Sequence, residues 1–144
     1  MTKHASRLIV FLVLAGLISK ASADRVEQKP PQAVPNGYRA VTLPVAGHQL
    51  AYVKPGDRID VMVTFEALEP KNKKEEVTAT ILQNVVVLNV DRSDGLLDLI
   101  LNPNEAQYAV LALEGKNTVW IERRAEGDID MKPMEMASFR KLFR

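Results

Sequence analysis

The stretch Ala51 to Phe65, AYVKPGDRIDVMVTF, constrains what this chain can fold into more than any other. Lys54-Pro55-Gly56-Asp57 is a tight-turn signal. Pro55 presets φ for the second turn position, Gly56 supplies a positive φ at the third, and the Asp57 carboxylate can cap the exposed turn amides. Beyond the turn, Ile59, Val61, Val63 and Phe65 fall on one face of an extended chain, and Arg58, Asp60, Met62, Thr64 and Glu66 on the other. Period-two alternation marks a half-buried strand, so the fold must contain a sheet with one covered face.

The flanking segments read as partners for that strand. Tyr38 to Val45 is a short strand interrupted by Pro44, which cannot donate to a ladder and so predicts an edge or a bulge. Glu66 to Glu75 is charged, contains Pro70 and lacks an apolar period, which predicts an exposed connection between antiparallel strands. Glu76 to Leu82 alternates weakly, and Val85 to Val90 is apolar apart from Asn89. This predicts a strand buried on both faces or one that changes partners near Gln83-Asn84, and a bulge at Gln83-Asn84 satisfies both patterns. Asp94-Gly95 is a hairpin signal before a strand over Leu96 to Leu101.

Asn102 is a good N-cap, Pro103 suits the first helical position and Glu105 can reach back to the cap amide. Ala106, Ala109, Val110 and Leu113 then share a helical face, and Gly115 supplies the stop, so a helix is predicted from Asn102 to Glu114. Thr118 to Arg123 predicts a last strand in which Val119 and Ile121 oppose Thr118, Trp120 and Glu122. The pattern dissolves after Arg124, and Met134 to Arg144 recovers amphipathicity, with Met136, Phe139 and Phe143 on one helical face and Arg140, Lys141 and Arg144 on another.

The chain has 144 residues, enough for one domain. Its start reads as an export signal: Lys3 and Arg7, an apolar run from Leu8 to Ile18, then the small-x-small pattern Ala21-Ser22-Ala23. Ser19 and Lys20 end that run well short of the roughly 20 residues that span a bilayer. Cleavage after Ala23 removes three basic residues, leaving 16 basic against 18 acidic side chains where the whole chain carries +1. A net charge of −2 offers no general attraction for nucleic acid. Asp24 to Ala33, with Pro30-Pro31, reads as an extended linker. Cysteine is absent, which excludes disulfides, zinc-thiolate sites and thiol catalysis.

Catalytic chemistry finds little to stand on. His48 is the one histidine after the export signal, with no second ligand at metal spacing. Asp57 and Asp60 are three apart, and on a strand they point to opposite faces, so they do not converge as acid and base. No G-x-S-x-G elbow and no glycine-rich phosphate loop is present. Trp120 is expected in the core, as a lone tryptophan in a small β domain usually is, and becomes a sugar-stacking platform only if exposed. The expectation is a chain without enzymatic activity and without a metal or other cofactor.

Four collinear pieces carry a family resemblance. Val34 to Val45, VPNGYRAVTLPV, with the following AYVKPGDRIDVMVT, resembles the pattern VPxGxRAVxxxV, spacer, AGxVxPGDxVDVxxT of the CpaB/RcpC family of Flp (Tad) pilus assembly proteins. TATILQNVVVLNV at Thr78 to Val90 and LDLILNPNEAQYAVLALEGKNTVWIERR at Leu97 to Arg124 resemble its later segments. The resemblance implies a noncatalytic accessory of the pilus machine, with an outer-membrane secretin or pilus platform components as protein partners. Family members generally carry an inner-membrane anchor and a SAF-like β-clip domain ahead of the matched segment. Here only ten residues separate the export signal from Val34, so a full SAF domain is not expected, and Tyr52 stands where glycine is usual.

The expected architecture is mainly β: a compact antiparallel β barrel-like or β-clip domain with one short helix. It is divided into a signal peptide (1–23), a linker (24–33), the family-like β domain (34–124) and an amphipathic C-terminal tail (125–144). The expected contact surfaces are the edge strand, through Arg39, Val41 and Leu43, and the tail, through Met136, Phe139, Arg140, Leu142 and Phe143. Pro55, Gly56 and Asp57 are structural turn residues. Periplasmic localisation follows from the export signal, with membrane association and peptidoglycan contact as further expectations. The alternatives are a carbohydrate- or peptidoglycan-binding module and a chaperone of an exported subunit.

Overall fold

A computed structural model describes residues 33–69, 73–114 and 117–142 of the chain. The expected signal peptide, nearly all of the linker, Gly115 and Phe143 lie outside these residues. The strands are β1 (Arg39–Pro44), β2 (Arg58–Glu69), β3 (Lys73–Asp91), β4 (Leu96–Leu101), β5 (Thr118–Arg123) and β6 (Ala137–Ser138). The helices are α1 (Pro103–Leu113) and the single turn α2 (Phe139–Leu142), with a short 3-10 turn at Gly47–Leu50.

All strands join one antiparallel sheet in the order β1-β4-β3-β2-β5, with β6 added to β3. The mainly-β expectation holds, but the sheet is open rather than closed into a barrel, because β1 and β5 lie at its two ends and do not pair. β1 is an edge strand, as Pro44 predicted.

The turn before β2 forms as its residues require. Gly56 has φ +90, the Asp57 N–H donates to the Lys54 carbonyl, and the Asp57 carboxylate accepts from the Lys54 N–H at 2.9 Å. Ile59, Val61 and Val63 are buried along β2. β5 pairs with β2 so that Val119 and Ile121 lie opposite Val63 and Val61, and Leu97, Leu99 and Val87 continue the same covered layer.

The bulge expected at Gln83-Asn84 is present. The β2–β3 register passes from Ile59↔Val85 to Val61↔Leu82, so Asp60 faces two residues. Asn84 takes φ +57, a left-handed conformation that asparagine tolerates better than most residues, and its N–H donates to Asp60 Oδ1 at 2.8 Å. β3 also changes partners here, with β4 pairing beginning at Val86↔Ile100.

Three sequence expectations are corrected. The described part of Glu66 to Glu75 is strand rather than loop: β2 runs to Glu69 and β3 starts at Lys73, paired as far as Glu69↔Lys73, while Pro70 and its two followers lie outside the described residues. The ladder is continuous from Met62↔Thr80 to Glu69↔Lys73, and Lys74 pairs with Glu66 across it, beside the like charges of Glu66 and Glu76 placed opposite each other. α1 begins with the predicted capping box, Asn102 Oδ1 accepting from the Asn104 and Glu105 N–H groups and Glu105 Oε2 from the Asn102 N–H. Its buried face is rotated, however, to Ala109 and Ala112, with Ala106 packed beside them. Alanines let the helix backbone approach the sheet closely, and Val110 and Leu113, expected inside, are left exposed. The tail helix shrinks to α2, because residues 131–136 form no helix, with Lys132 tied to Gln83 of β3, and Met136 shares no helix with Phe139.

Candidate interaction surfaces

The described residues contain no group of three or more metal-ligating side chains. Asp57 and Asp60 are each committed to an arginine from the chain that leaves β5. Arg123 Nε donates to Asp57 Oδ2 at 2.8 Å, and Arg124 Nε donates to Asp60 Oδ1 at 2.7 Å. Asp60 and Arg124 are both shielded, with side-chain exposures of 13% and 8%. The hydrogen bond from Arg124 to Asp60 holds the guanidinium more firmly protonated than usual, with Asp128 and Asp130 adding to the effect against the opposing influence of burial. Arg124 Nη1 also reaches the Asp130 carbonyl at 2.8 Å, so one side chain ties β2, the bulge and the start of the tail together. The sequence places Asp60 on the strand face opposite Ile59, Val61 and Val63 and gives it no partner. The bulge was the only available hint of its role, since a bulged N–H needs an acceptor.

The two sheet ends differ. At β5, Gln49 lays its side-chain amide along the outer edge, accepting from the Ile121 N–H at 2.8 Å and donating to the Val119 carbonyl at 3.3 Å. This mimics one peptide unit of a further strand and blunts the edge. β1 pairs only with β4. Of its predicted contact residues, Arg39 is exposed and donates to the Tyr38 carbonyl, Val41 is half-buried, and Leu43 is fully buried in the core. Burial withdraws the Leu43 side chain from any surface, so at that position only backbone is left to meet a partner.

The tail lies on the opposite margin of β3. β6 pairs with Val77 and Thr78, Gln83 exchanges two hydrogen bonds with the Lys132 backbone, and Asn84 Nδ2 donates to the Ile129 carbonyl. Arg140 meets Glu75. Docking leaves Ile129, Met131, Met134, Met136 and Phe139 exposed, so the tail covers an edge while displaying apolar side chains outward. Leu142 closes α2.

Trp120 is not in the core. It stands 40% exposed on the outer face opposite Met62, because Val119 and Ile121 take the inward positions of β5, and its indole N–H donates to Thr64 Oγ1 at 3.0 Å. Together with Met62, Thr64, Thr78, Glu76 and Phe139 it lines a cavity of about 490 Å³ beside the docked tail. A second apolar groove, about 540 Å³, lies on the other face between Tyr108 and Leu111 of α1 and Val63, Phe65 and Ile81 of the β2–β3 hairpin. The rotation of α1 creates it, and the sequence pattern that placed Val110 and Leu113 inside concealed it.

No curated protein and no solved structure gives a significant match to the chain. The model of the family described as Flp pilus assembly protein RcpC/CpaB matches residues 31–119, from the approach to β1 into β5. That span takes in the turn at Pro55-Gly56, the bulged β3 and the capped α1, and the chain belongs to the RcpC/CpaB family of Flp pilus assembly proteins.

Proposed function

We propose that this protein is a noncatalytic, periplasmic accessory component of Flp (Tad) pilus assembly, working through contacts with an outer-membrane secretin or other pilus subunits. The observation that carries the reading is the family match across most of the sheet and its helix. Two features support the finer statement. The closest carboxylate pair considered for catalysis, Asp57 and Asp60, is neutralised by Arg123 and Arg124, whereas large apolar side chains are displayed along the tail. Export rests on Lys3, Arg7, the Leu8 to Ile18 run and Ala21-Ser22-Ala23.

The test is in-cell crosslinking and affinity purification of the tagged full chain beside a form ending at Lys132. Recovery of secretin or pilus platform proteins supports the role, and its loss or gain on removal of the tail distinguishes a contact made by the tail from one made by the strand edge beneath it. A catch without pilus components overturns it. A glycan-binding reading draws on one observation, the exposed Trp120 beside Thr64, Thr78 and Glu76. Retention on isolated peptidoglycan that Trp120→Ala abolishes would favour it over the assembly role.

A further inference from the structure

β4 accompanies β3 only as far as Ile100↔Val86, where the chain turns away into α1. β2 fills the other side of β3 through this region, so the margin of β3 from Glu75 to Asn84 needs a partner of its own. The tail runs antiparallel along it: Val77 pairs with Ser138 and Thr78 with Ala137, and side-chain contacts join Glu75 to Arg140 and Gln83 to Lys132.

This attachment is made at points rather than as a continuous ladder. Only Val77↔Ser138 and Thr78↔Ala137 are ladder pairs. At one end the Gln83 amide substitutes for a peptide unit, donating to the Lys132 carbonyl at 2.8 Å and accepting from its N–H at 3.1 Å. At the other, the Glu75 carboxylate accepts from the Arg140 N–H at 3.4 Å and lies 3.7 Å from its guanidinium. Among the described residues no ladder pair joins 133–136 to 79–82. Phe139 also forms one wall of the Trp120 cavity, so departure of the tail would open the strand edge and the cavity together.

We propose that the Glu75 to Asn84 edge of β3 is a strand-accepting site, held in cis by residues 130–140 as a removable plug whose place an extended strand of a partner polypeptide takes. A longer ladder than the plug achieves supplies the driving force for exchange. The strand that fits runs antiparallel to β3, presents a basic residue opposite Glu75 and small residues opposite Val77 and Thr78, and sends an apolar side chain toward Trp120. The inference rests on the assembly role only for the origin of the partner; the slot and its plug stand on geometry.

The test uses the full chain and a fluorescent synthetic peptide of residues 129–142 as the probe. In the wild type the tethered tail competes at an effective concentration on the order of millimolar, so the peptide binds weakly. Replacing both Ala137 and Ser138 by proline removes whichever N–H the pair donates to β3. This variant should bind the peptide about 100-fold more tightly, the scale that loss of an intramolecular competitor gives. Lys132→Pro, which removes from the tethered tail the N–H that Gln83 accepts and leaves the β3 edge and the probe intact, should shift affinity in the same direction by less. Hydrogen exchange of the peptide-bound double-proline variant should slow at Val77–Leu82 and not at Val86–Asp91.

Equal binding by the three folded proteins, or slowing confined to other strands, overturns the proposal. If the double-proline variant does not fold, Lys132→Pro decides by the same comparison. Secretin recovery in the pull-down with no gain in peptide binding would sink the plug and leave the assembly role standing; the reverse result would sink the role alone.

Discussion

Gly95 and Gly56 both hold positive φ, +66 and +90, and differ in what surrounds them. A Cβ at Gly56 meets nothing within 4 Å, whereas one at Gly95 would sit 2.8 Å from the Val45 carbonyl oxygen, a backbone atom. Gly56→Ala should therefore cost only the left-handed conformation, about 1–2 kcal/mol. Gly95→Ala bears the same cost and must also push Val45 away. The Val45 N–H donates to the Gly95 carbonyl at 2.8 Å, and Val45 is itself buried, so the shift weakens that hydrogen bond and loosens the junction of β1 with β4. The bond alone contributes about 1 kcal/mol. The expected total is about 2–4 kcal/mol, at least about 1 kcal/mol more than Gly56→Ala, or roughly 4 °C in melting temperature for a domain near 100 residues. Thermal and urea unfolding of the two variants provides the assay. Equal destabilisation would refute the crowding argument and leave torsion alone as the role of both glycines.

Asn102→Ala removes the acceptor for two helix N–H groups and keeps the backbone N–H that donates to Glu105, so it should lower stability by about 1 kcal/mol in chemical denaturation. Leu99 is fully buried in the sheet core, and Leu99→Ala should cost about 3–5 kcal/mol by the same measurement. The Asp91 carboxylate is held below its ordinary value of 3.8, first by the Ser93 hydroxyl and then by the Asp94 and Ser93 amides. A depressed native value means its stabilising contribution is fully present above the ordinary carboxylate range and is lost as pH falls through the native pKa. Ser93→Ala should accordingly flatten the acid limb of the stability profile, leaving stability near pH 7 as the lower of the two proteins.

What was legible in the candidate surfaces was local. The turn at Pro55-Gly56-Asp57, the Asn102 cap and the bulge at Gln83-Asn84 were readable because residue type alone limits φ or supplies a nearby acceptor. The rotated α1 was not, because the i, i+3, i+4 rule counts apolar residues and cannot tell that alanines, by their small size, give the closer approach to a sheet. Trp120 was misplaced by residue preference although the alternation of β5 already pointed it outward: Val119 and Ile121 occupy the inward positions, and period two leaves the tryptophan outside.

The sequence by itself determined β1, β4, β5 and the central parts of β2 and β3, the helix start, the antiparallel sheet class and the family, since these depend on periodicity, turn chemistry and collinear motifs within short spans of chain. The tertiary structure decided which surfaces are left for partners. Gln49 shields β5 across 72 residues, Asp60 and Arg124 meet across 64, and the Gln83–Lys132 bond spans 49. Such pairings have no local signature, because each side chain is an ordinary polar residue until the fold brings its partner within hydrogen-bond distance. The same applies to the openness of the sheet: alternation specifies which face of each strand is buried, but whether the two end strands meet is set by the twist and length of all the strands between them.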